Sequence, residues 1–170
     1  MVNVEKSLYN KGQNAYTVDG SFYAKMNDTK KQVIIKLKTI INDQGQIETM
    51  KTEQRGTFIR RGMRDVLLYD EVTDEGAKIG NFITIQKDKV SIKRSGLISM
   101  HQQFVVGQID ETMYEHPHGT IHLETVTQRL KYEPIPTRYS GKLEIDYTVS
   151  LNGQQERKHK LVLTYQEEDY

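Results

Sequence analysis

The sequence predicts an all-β fold: an antiparallel meander of about ten strands closed into a barrel, with an N-terminal extension. Val, Ile and Thr contribute 12, 15 and 15 of the 170 residues, whereas Ala contributes 3 and Leu 11. β-branched residues favour strands, and Ala and Leu favour helices. Alternating segments recur with turn signals between them, and no segment longer than a turn has a 3.6-residue period. A sandwich fits this pattern too, but hairpins that follow one another evenly favour the barrel.

The N-terminal extension, residues 1–30, is polar and carries one clear signal. Asp19-Gly20 separates two short alternating segments, residues 16–18 and 21–23. Asp-Gly is typical of a two-residue hairpin, because both turn positions need a positive φ. A lone hairpin is marginal in water, so it would lean on the body or on a second chain. A disordered leader is the alternative.

A single barrel domain is expected over residues 31–167. Gly56 is expected to divide one strand, Pro134 and Pro136 to form a loop, and Asn152-Gly153 to turn the last hairpin. Apolar residues at every second position of 143–151 indicate a half-buried antiparallel strand. The predicted strands are residues 32–41, 46–54, 57–60, 64–72, 79–86, 89–95, 98–106, 109–115, 120–133, 141–151 and 154–165.

Charge and composition exclude several classes of partner. The net charge of +1 lacks the basic excess of a dedicated nucleic-acid binder. No apolar run is long enough for a spanning helix, and the N-terminus lacks the apolar segment of a signal peptide. The chain has no Cys, which removes disulfides, thiolate nucleophiles and Cys zinc sites. We therefore expect a cytoplasmic protein with no nucleic-acid or membrane partner.

An ordered series of motifs runs through the predicted barrel. In chain order the motifs are Arg94-Ser95-Gly96, Met100, Phe104, Gly107, Tyr114, Pro117, Gly119, Tyr147 and Leu151-Asn152-Gly153. Their order and spacing over roughly residues 31–165 resemble the YwiB-like family of small bacterial proteins of unknown function. His116, His118 and His159 depart from the family's usual residues. The resemblance implies a calycin-like barrel, structurally related to lipocalins, and implies no established activity and no catalytic residues.

A charge pair is predicted inside the barrel. Arg94 continues the apolar face of Val90 and Ile92, and Glu71 shares an inward face with Tyr69. We expect Arg94 to contact Glu71, because an unpaired buried charge is very costly. The Arg94 guanidinium would then either hold a ligand carboxylate or phosphate, or plug one barrel end by bonding strand-end carbonyls. The plug is favoured, because interior polar groups of small barrels are usually satisfied structurally.

Two further residues complete the candidate ligand-binding set. Gln102 falls on the inward face of its strand, where it orients a ligand or bonds a neighbouring strand or a buried water. Tyr147 suits either a pocket wall or a barrel core near its end. The candidate set is Arg94, Glu71, Tyr69, Gln102 and Tyr147.

The clustered histidines His116, His118 and His122 are weak metal candidates. Imidazoles at alternate strand positions share a face and can ligate zinc. Pro117 and Gly119 favour a turn instead, so a solvated loop with no metal or cofactor is the expectation. The basic step 60–64 is likewise interpreted as a solvated turn.

Three function classes remain, in order of preference. A binding module leads, because a barrel of this size can hold one small, partly apolar ligand. The alternative is a structural scaffold with a filled barrel, which the extension would join to a partner or to a second copy as a homodimer. An enzyme comes last, because the sequence lacks a nucleophile elbow, a phosphate loop and spaced catalytic carboxylates.

Overall fold

The computed structural model describes residues 15–18, 21–24, 29–135 and 137–169. Within these residues no helix is long and apolar enough to cross a membrane. The strands are β1 (Ala15–Val18), β2 (Ser21–Ala24), β3 (Thr29–Asp43), β4 (Gln46–Arg61), β5 (Arg64–Val72), β6 (Lys78–Ile85), β7 (Val90–Gly96), β8 (Met100–Phe104), β9 (Ile109–His116), β10 (Gly119–Ile135), β11 (Ser140–Leu151) and β12 (Arg157–Glu167).

Strands β3 to β12 form one antiparallel sheet in the order β8-β7-β6-β5-β4-β3-β12-β11-β10-β9. β3 pairs with β12, so the first and last strands of the domain join. The opposite seam, between β8 and β9, is held by a bridge in which Ser99 and Glu115 exchange backbone hydrogen bonds of 3.0 and 2.9 Å. The result is a nearly closed barrel, which confirms the predicted all-β meander.

The N-terminal strands form a separate two-stranded sheet. β1 pairs with β2 antiparallel, and Val18 lies opposite Ser21. This register is the one that a two-residue Asp-Gly turn requires. Asp19 and Gly20 themselves lie outside the described residues.

Gly56 does not interrupt β4, so the predicted division there is wrong. A Cβ on Gly56 would lie 2.5 Å from Ile35 Cδ1 and 2.6 Å from the Leu68 carbonyl oxygen. Glycine is needed at this position for close approach of neighbouring strands. β4 pairs with β5 only from Thr57 onward, so residues 46–56, which we call the free half of β4, pair with β3 alone.

Two other strand limits differ from the prediction. Pro134 lies within β10, where it pairs with Gly141. β9 accompanies β10 only as far as Val126, and among the described residues β10 pairs with β11 alone from Arg129 onward, so Pro134 lies beside an open edge that tolerates its missing N–H. Asn152 and Gly153 form the predicted turn with φ of 49° and 70°. β12 nevertheless begins later than predicted, because the Asn152 N–H and Oδ1 bond the backbone of β10 and tie the turn to that strand.

The barrel interior is filled by inward side chains. They form one continuous apolar cluster, whose largest fully buried members are Tyr165, Phe58 and Phe104. Burying such a side chain stabilises the fold by roughly 1.5–3 kcal/mol. Among the described residues every buried side-chain nitrogen and oxygen has a hydrogen-bond partner. The interior is therefore a packed core, and the polar groups of interest lie at the barrel ends.

Candidate functional site

The two ends of the barrel each carry an Arg–carboxylate pair. We call them the Asp65 end, where the β4–β5 and β10–β11 connections lie, and the Arg94 end, where the β5–β6 and β7–β8 connections lie. Antiparallel strands bring these connections to opposite rims. The sequence pointed to the Arg94 end alone.

At the Arg94 end the predicted contact is confirmed. Arg94 Nη2 donates to Glu71 Oε2 at 2.6 Å, and Arg94 Nε donates to Asn81 Oδ1 at 3.1 Å. Arg94 thus bonds side chains and not the strand-end carbonyls expected of a plug. Burial, followed by the charge of Glu71, raises the pKa of nearby Tyr69 to about 12. Arg94, Glu71 and Tyr69 are therefore brought together, and their role toward a ligand stays a prediction.

Gln102 and Tyr147, the other two candidates, are fixed inside the core. Gln102 Nε2 donates to Thr125 Oγ1 at 2.8 Å, and both groups are buried. The Tyr147 ring meets Phe104 edge-on at 4.9 Å and lies 5.0 Å from His159. Burial raises the pKa of Tyr147, and burial together with the nearby charge of Arg157 lowers that of His159 to about 4. Gln102 is thus held within the core, whereas Tyr147 and His159 also border a surface groove of about 420 Å³, and the role of both candidates toward a ligand stays a prediction.

The three candidate histidines lie at the rim of the Arg94 end. The His116 and His118 rings are 5.1 Å apart, and the His118 N–H donates to His116 Nδ1 at 3.2 Å. His122 Nε2 lies 3.8 Å from Glu111 Oε2 instead. In the part of the chain that the structure describes, no three His, Asp or Glu side chains are grouped to hold a metal ion.

The Asp65 end holds a more deeply buried network. Asp65 is 6% exposed and accepts hydrogen bonds from Arg60 Nε at 2.8 Å and Arg60 Nη2 at 3.2 Å. The Tyr132 hydroxyl donates to Asp65 Oδ2 at 2.6 Å, and its oxygen lies 2.6 Å from the Tyr165 hydroxyl. Two guanidinium donors and a phenol therefore converge on one carboxylate, an arrangement that is stronger than neutral hydrogen bonds.

Three members of the network, Arg60, Tyr132 and Tyr165, have raised pKa values. The hydrogen bond between Arg60 and Asp65 raises the pKa of Arg60. The Arg60 guanidinium also lies 5.2 Å from the centre of the Phe58 ring. Burial, and then the bond to Asp65, raise the pKa of Tyr132, and burial also raises that of Tyr165. Both phenols keep their protons at neutral pH and remain able to donate.

A groove opens beside this network. Its volume is about 320 Å³, and Met63, Ile85 and Pro134 supply apolar walls. Arg60, Asp65 and Tyr132 line it as well, and Lys87 stands at its rim. An apolar cleft with a few convergent polar groups is the usual form of a small-molecule site.

The Asp65 network was missed in the sequence, and the interpretation of Arg60 as part of a solvated turn is wrong. Arg60 lies opposite Asp65 in the β4–β5 register and is half-buried by that contact. The available signal was Asp65 itself, which shares the inward phase of Leu67 and Tyr69 and so needs a buried partner. Tyr132 is harder to find, because a bulge between Thr127 and Arg129 shifts the alternation of β10.

Comparisons with known proteins agree with this fold. The uncharacterised β-barrel protein YwiB of Bacillus subtilis (strain 168) is 25% identical over 134 residues, which cover 79% of this chain and 92% of that protein. The crystal structure of YwiB superposes with a TM-score of 0.73 at 24% identity, covering 82% of this chain and 94% of that one. The domain of unknown function DUF1934 matches residues 35–163. The chain therefore belongs to the DUF1934 family of β-barrel proteins.

Proposed function

We propose that the chain is a cytoplasmic small-ligand binding protein of calycin type, and that its site is the groove at the Asp65 end. The ligand is small and partly apolar and carries an acidic group. The observation that supports this proposal is the apolar groove that ends on a fixed network of Asp65, Arg60 and Tyr132. Pre-ordered polar groups reduce the entropy that is lost when a ligand binds.

The filled interior moves the proposed site from the barrel lumen to its mouth. Aromatic and aliphatic side chains occupy the space that a lumen ligand would need. The groove borders this core at Ile85 and opens to solvent, so a ligand can enter without displacing the side chains that fill the barrel. A volume of about 320 Å³ suits a ligand at the small end of the usual range.

The charges that line the groove favour an acidic group on the ligand. The charge of Arg60 is balanced by Asp65 through two hydrogen bonds. Lys87 at the rim has no such partner among the residues lining the groove, so a carboxylate there would be attracted. Met63 is 90% exposed, and a ligand that covers it would gain about 25 cal/mol per Å² of buried apolar surface.

The first test is native mass spectrometry of protein purified without denaturation. An added mass of a few hundred daltons that disappears on unfolding would identify the ligand directly, in line with the size of the groove. A panel of aliphatic and aromatic carboxylates, with their uncharged amides, is then titrated and followed by NMR. We expect carboxylates to bind more tightly than amides, and Lys87→Ala and Met63→Ala to weaken that binding.

Lys93→Ala is the matched control, because Lys93 is exposed on β7 away from the groove. If Lys93→Ala and Lys87→Ala weaken carboxylate binding equally, the attraction comes from the overall charge of the protein and not from Lys87 at the groove. Carboxylates that bind with unchanged affinity in both groove variants would reject the Asp65 end as the site.

A structural scaffold is the second candidate, and the packed interior favours it. A barrel whose core is filled by Tyr165, Phe58 and Phe104 is rigid and needs no ligand to be stable. Such a protein would copurify with a defined protein partner and show no carboxylate binding. Size-exclusion chromatography of the gently purified protein separates this outcome from the first.

A further inference from the structure

The free half of β4 is an exposed sheet edge. β3 pairs with it over its whole length, whereas pairing with β5 starts only at Thr57. Residues 46–53 are all exposed, and within the described residues no strand lies on their other side. Backbone donors and acceptors along such an edge can pair with another strand.

The β3–β4 turn determines which residues offer these groups. Gln44 and Gly45 have φ of 52° and 89°, as in a two-residue type I′ turn. The flanking pair Asp43–Gln46 is then a hydrogen-bonded pair, and bonded pairs alternate along the ladder. Even-numbered residues of the free half therefore bond β3, and odd-numbered residues direct their N–H and C=O groups to the open edge.

The alternation of hydrogen-bonding direction along β4 restricts how a second copy can pair with this edge. Along two antiparallel copies of the same edge, odd-numbered residues must face odd-numbered residues, so the two-fold axis passes through one residue. An axis at Lys51 or Glu53 places two like charges together, which is destabilising. An axis at Thr52 instead places each Lys51 opposite Glu53 of the partner copy.

The charges within one chain favour the same register. Lys51 lies directly opposite Lys38 on β3, a repulsive cross-strand pair. Glu53 lies opposite Lys36, and this ion pair is long, 3.9 Å, with both side chains 65% exposed. A carboxylate arriving beside Lys51 on the open edge would offset the repulsion by Lys38.

We propose that a second copy of the chain docks antiparallel on the free half of β4, with Thr52 of both copies on the two-fold axis. Residues 49–55 of each copy form the contact, and two Lys51–Glu53 pairs flank the axis. The contact is small, so association is weak and rises with protein concentration. The surface differs from the N-terminal extension, which the sequence had suggested as the dimer contact.

Cysteine cross-linking tests the register, because the native chain has no Cys. The two copies of residue 52 would form a non-hydrogen-bonded pair with Cα atoms about 4.5 Å apart, which is close enough for a disulfide. We expect Thr52→Cys to give a covalent dimer under mild oxidation. Met50→Cys is the matched control on the same face of β4, where the two Cα atoms would be roughly 14 Å apart. Equal cross-linking of both variants, or of neither, overturns the proposal.

Charge exchange tests the same contact without cross-linking. We expect Lys51→Glu and Glu53→Lys each to weaken dimerisation roughly tenfold, and the double exchange to restore it, as measured by sedimentation velocity. Lys51→Glu also relieves the repulsion by Lys38, so an unchanged or raised unfolding temperature shows that the fold is intact. A full-length protein that stays monomeric, or a dimer that ignores these exchanges and disappears when residues 1–28 are removed, overturns the proposal.

Discussion

The two ends of the barrel each hold an Arg–carboxylate pair, but the carboxylates differ in how deeply they are buried. The side chains of Arg60 and Arg94 are 28% and 27% exposed, but those of Asp65 and Glu71 are 9% and 22% exposed. Asp65 accepts two bonds from Arg60 and one from Tyr132, whereas Glu71 accepts one bond from Arg94. The burial of the carboxylate, and the number of its donors, distinguish a network that fixes the fold from a pair that partly faces water.

The largest effect should come from Asp65→Asn. The substitution leaves Arg60 charged and half-buried without its anion, and a broken buried pair costs about 3 kcal/mol. Urea unfolding followed by circular dichroism measures the change. A loss in the free energy of unfolding below about 1 kcal/mol would mean that the Asp65–Arg60 pair contributes no more than an ordinary surface ion pair. The Asp65 end would then not differ in stability from the Arg94 end.

The next effect should come from Tyr132→Phe, which removes the hydroxyl between Asp65 and Tyr165. We expect the free energy of unfolding to fall by about 1–2 kcal/mol, because a bond to a charged acceptor is lost. Tyr165→Phe is the control and should cost less, because Tyr165 bonds only the neutral phenol within this network. The reverse order would mean that Tyr165, not Tyr132, holds the carboxylate.

Glu71→Gln at the Arg94 end should cost about 1 kcal/mol or less. The amide oxygen can still accept a hydrogen bond from Arg94, and the guanidinium, which loses only its anionic partner, is partly exposed to water. The same unfolding assay, repeated at high salt, should reduce the difference from the native chain. A loss as large as that of Asp65→Asn would show that both ends are equally structural.

At neutral pH the smallest effect should come from His159, because both the folded and the unfolded chain hold it uncharged there and its contribution changes only as the pH falls. Its folded pKa, near 4, lies below the ordinary 6.5, so the unfolded chain takes up the proton first as the pH falls. This contribution to stability is complete above pH 6.5 and is lost as the pH falls toward 4. The urea unfolding midpoint should depend less on pH over this range in His159→Gln than in the native chain. The exposed control His118→Gln should keep the pH dependence of the native chain.

The sequence reveals whatever depends on one strand and its nearest neighbours. Alternation along residues 143–151 predicted the inward face of β11, and inward phase alone paired Arg94 with Glu71. Gln102 could not be settled in this way, because its partner Thr125 lies on β10, which only closure of the barrel brings near β8. The role of Gly56 could not be predicted for the same reason. Glycine is required there because Ile35 and Leu68 of neighbouring strands pack against it, and the sequence alone does not place those residues.

The ladder between β3 and β12 has a consequence for how the chain reaches this structure. It joins Val33 to Glu167 and runs on to Asn42 opposite Lys158, so it connects the two extremes of the domain. Contacts between such distant residues form late, because the entropy of closing the loop comes first. We expect folding in milliseconds to seconds, as for other β proteins rich in non-local contacts. During synthesis β3 cannot acquire this neighbour until β12 has left the ribosome, and until then the edge of β3 that pairs with β12 stays unpaired, as an edge that favours aggregation.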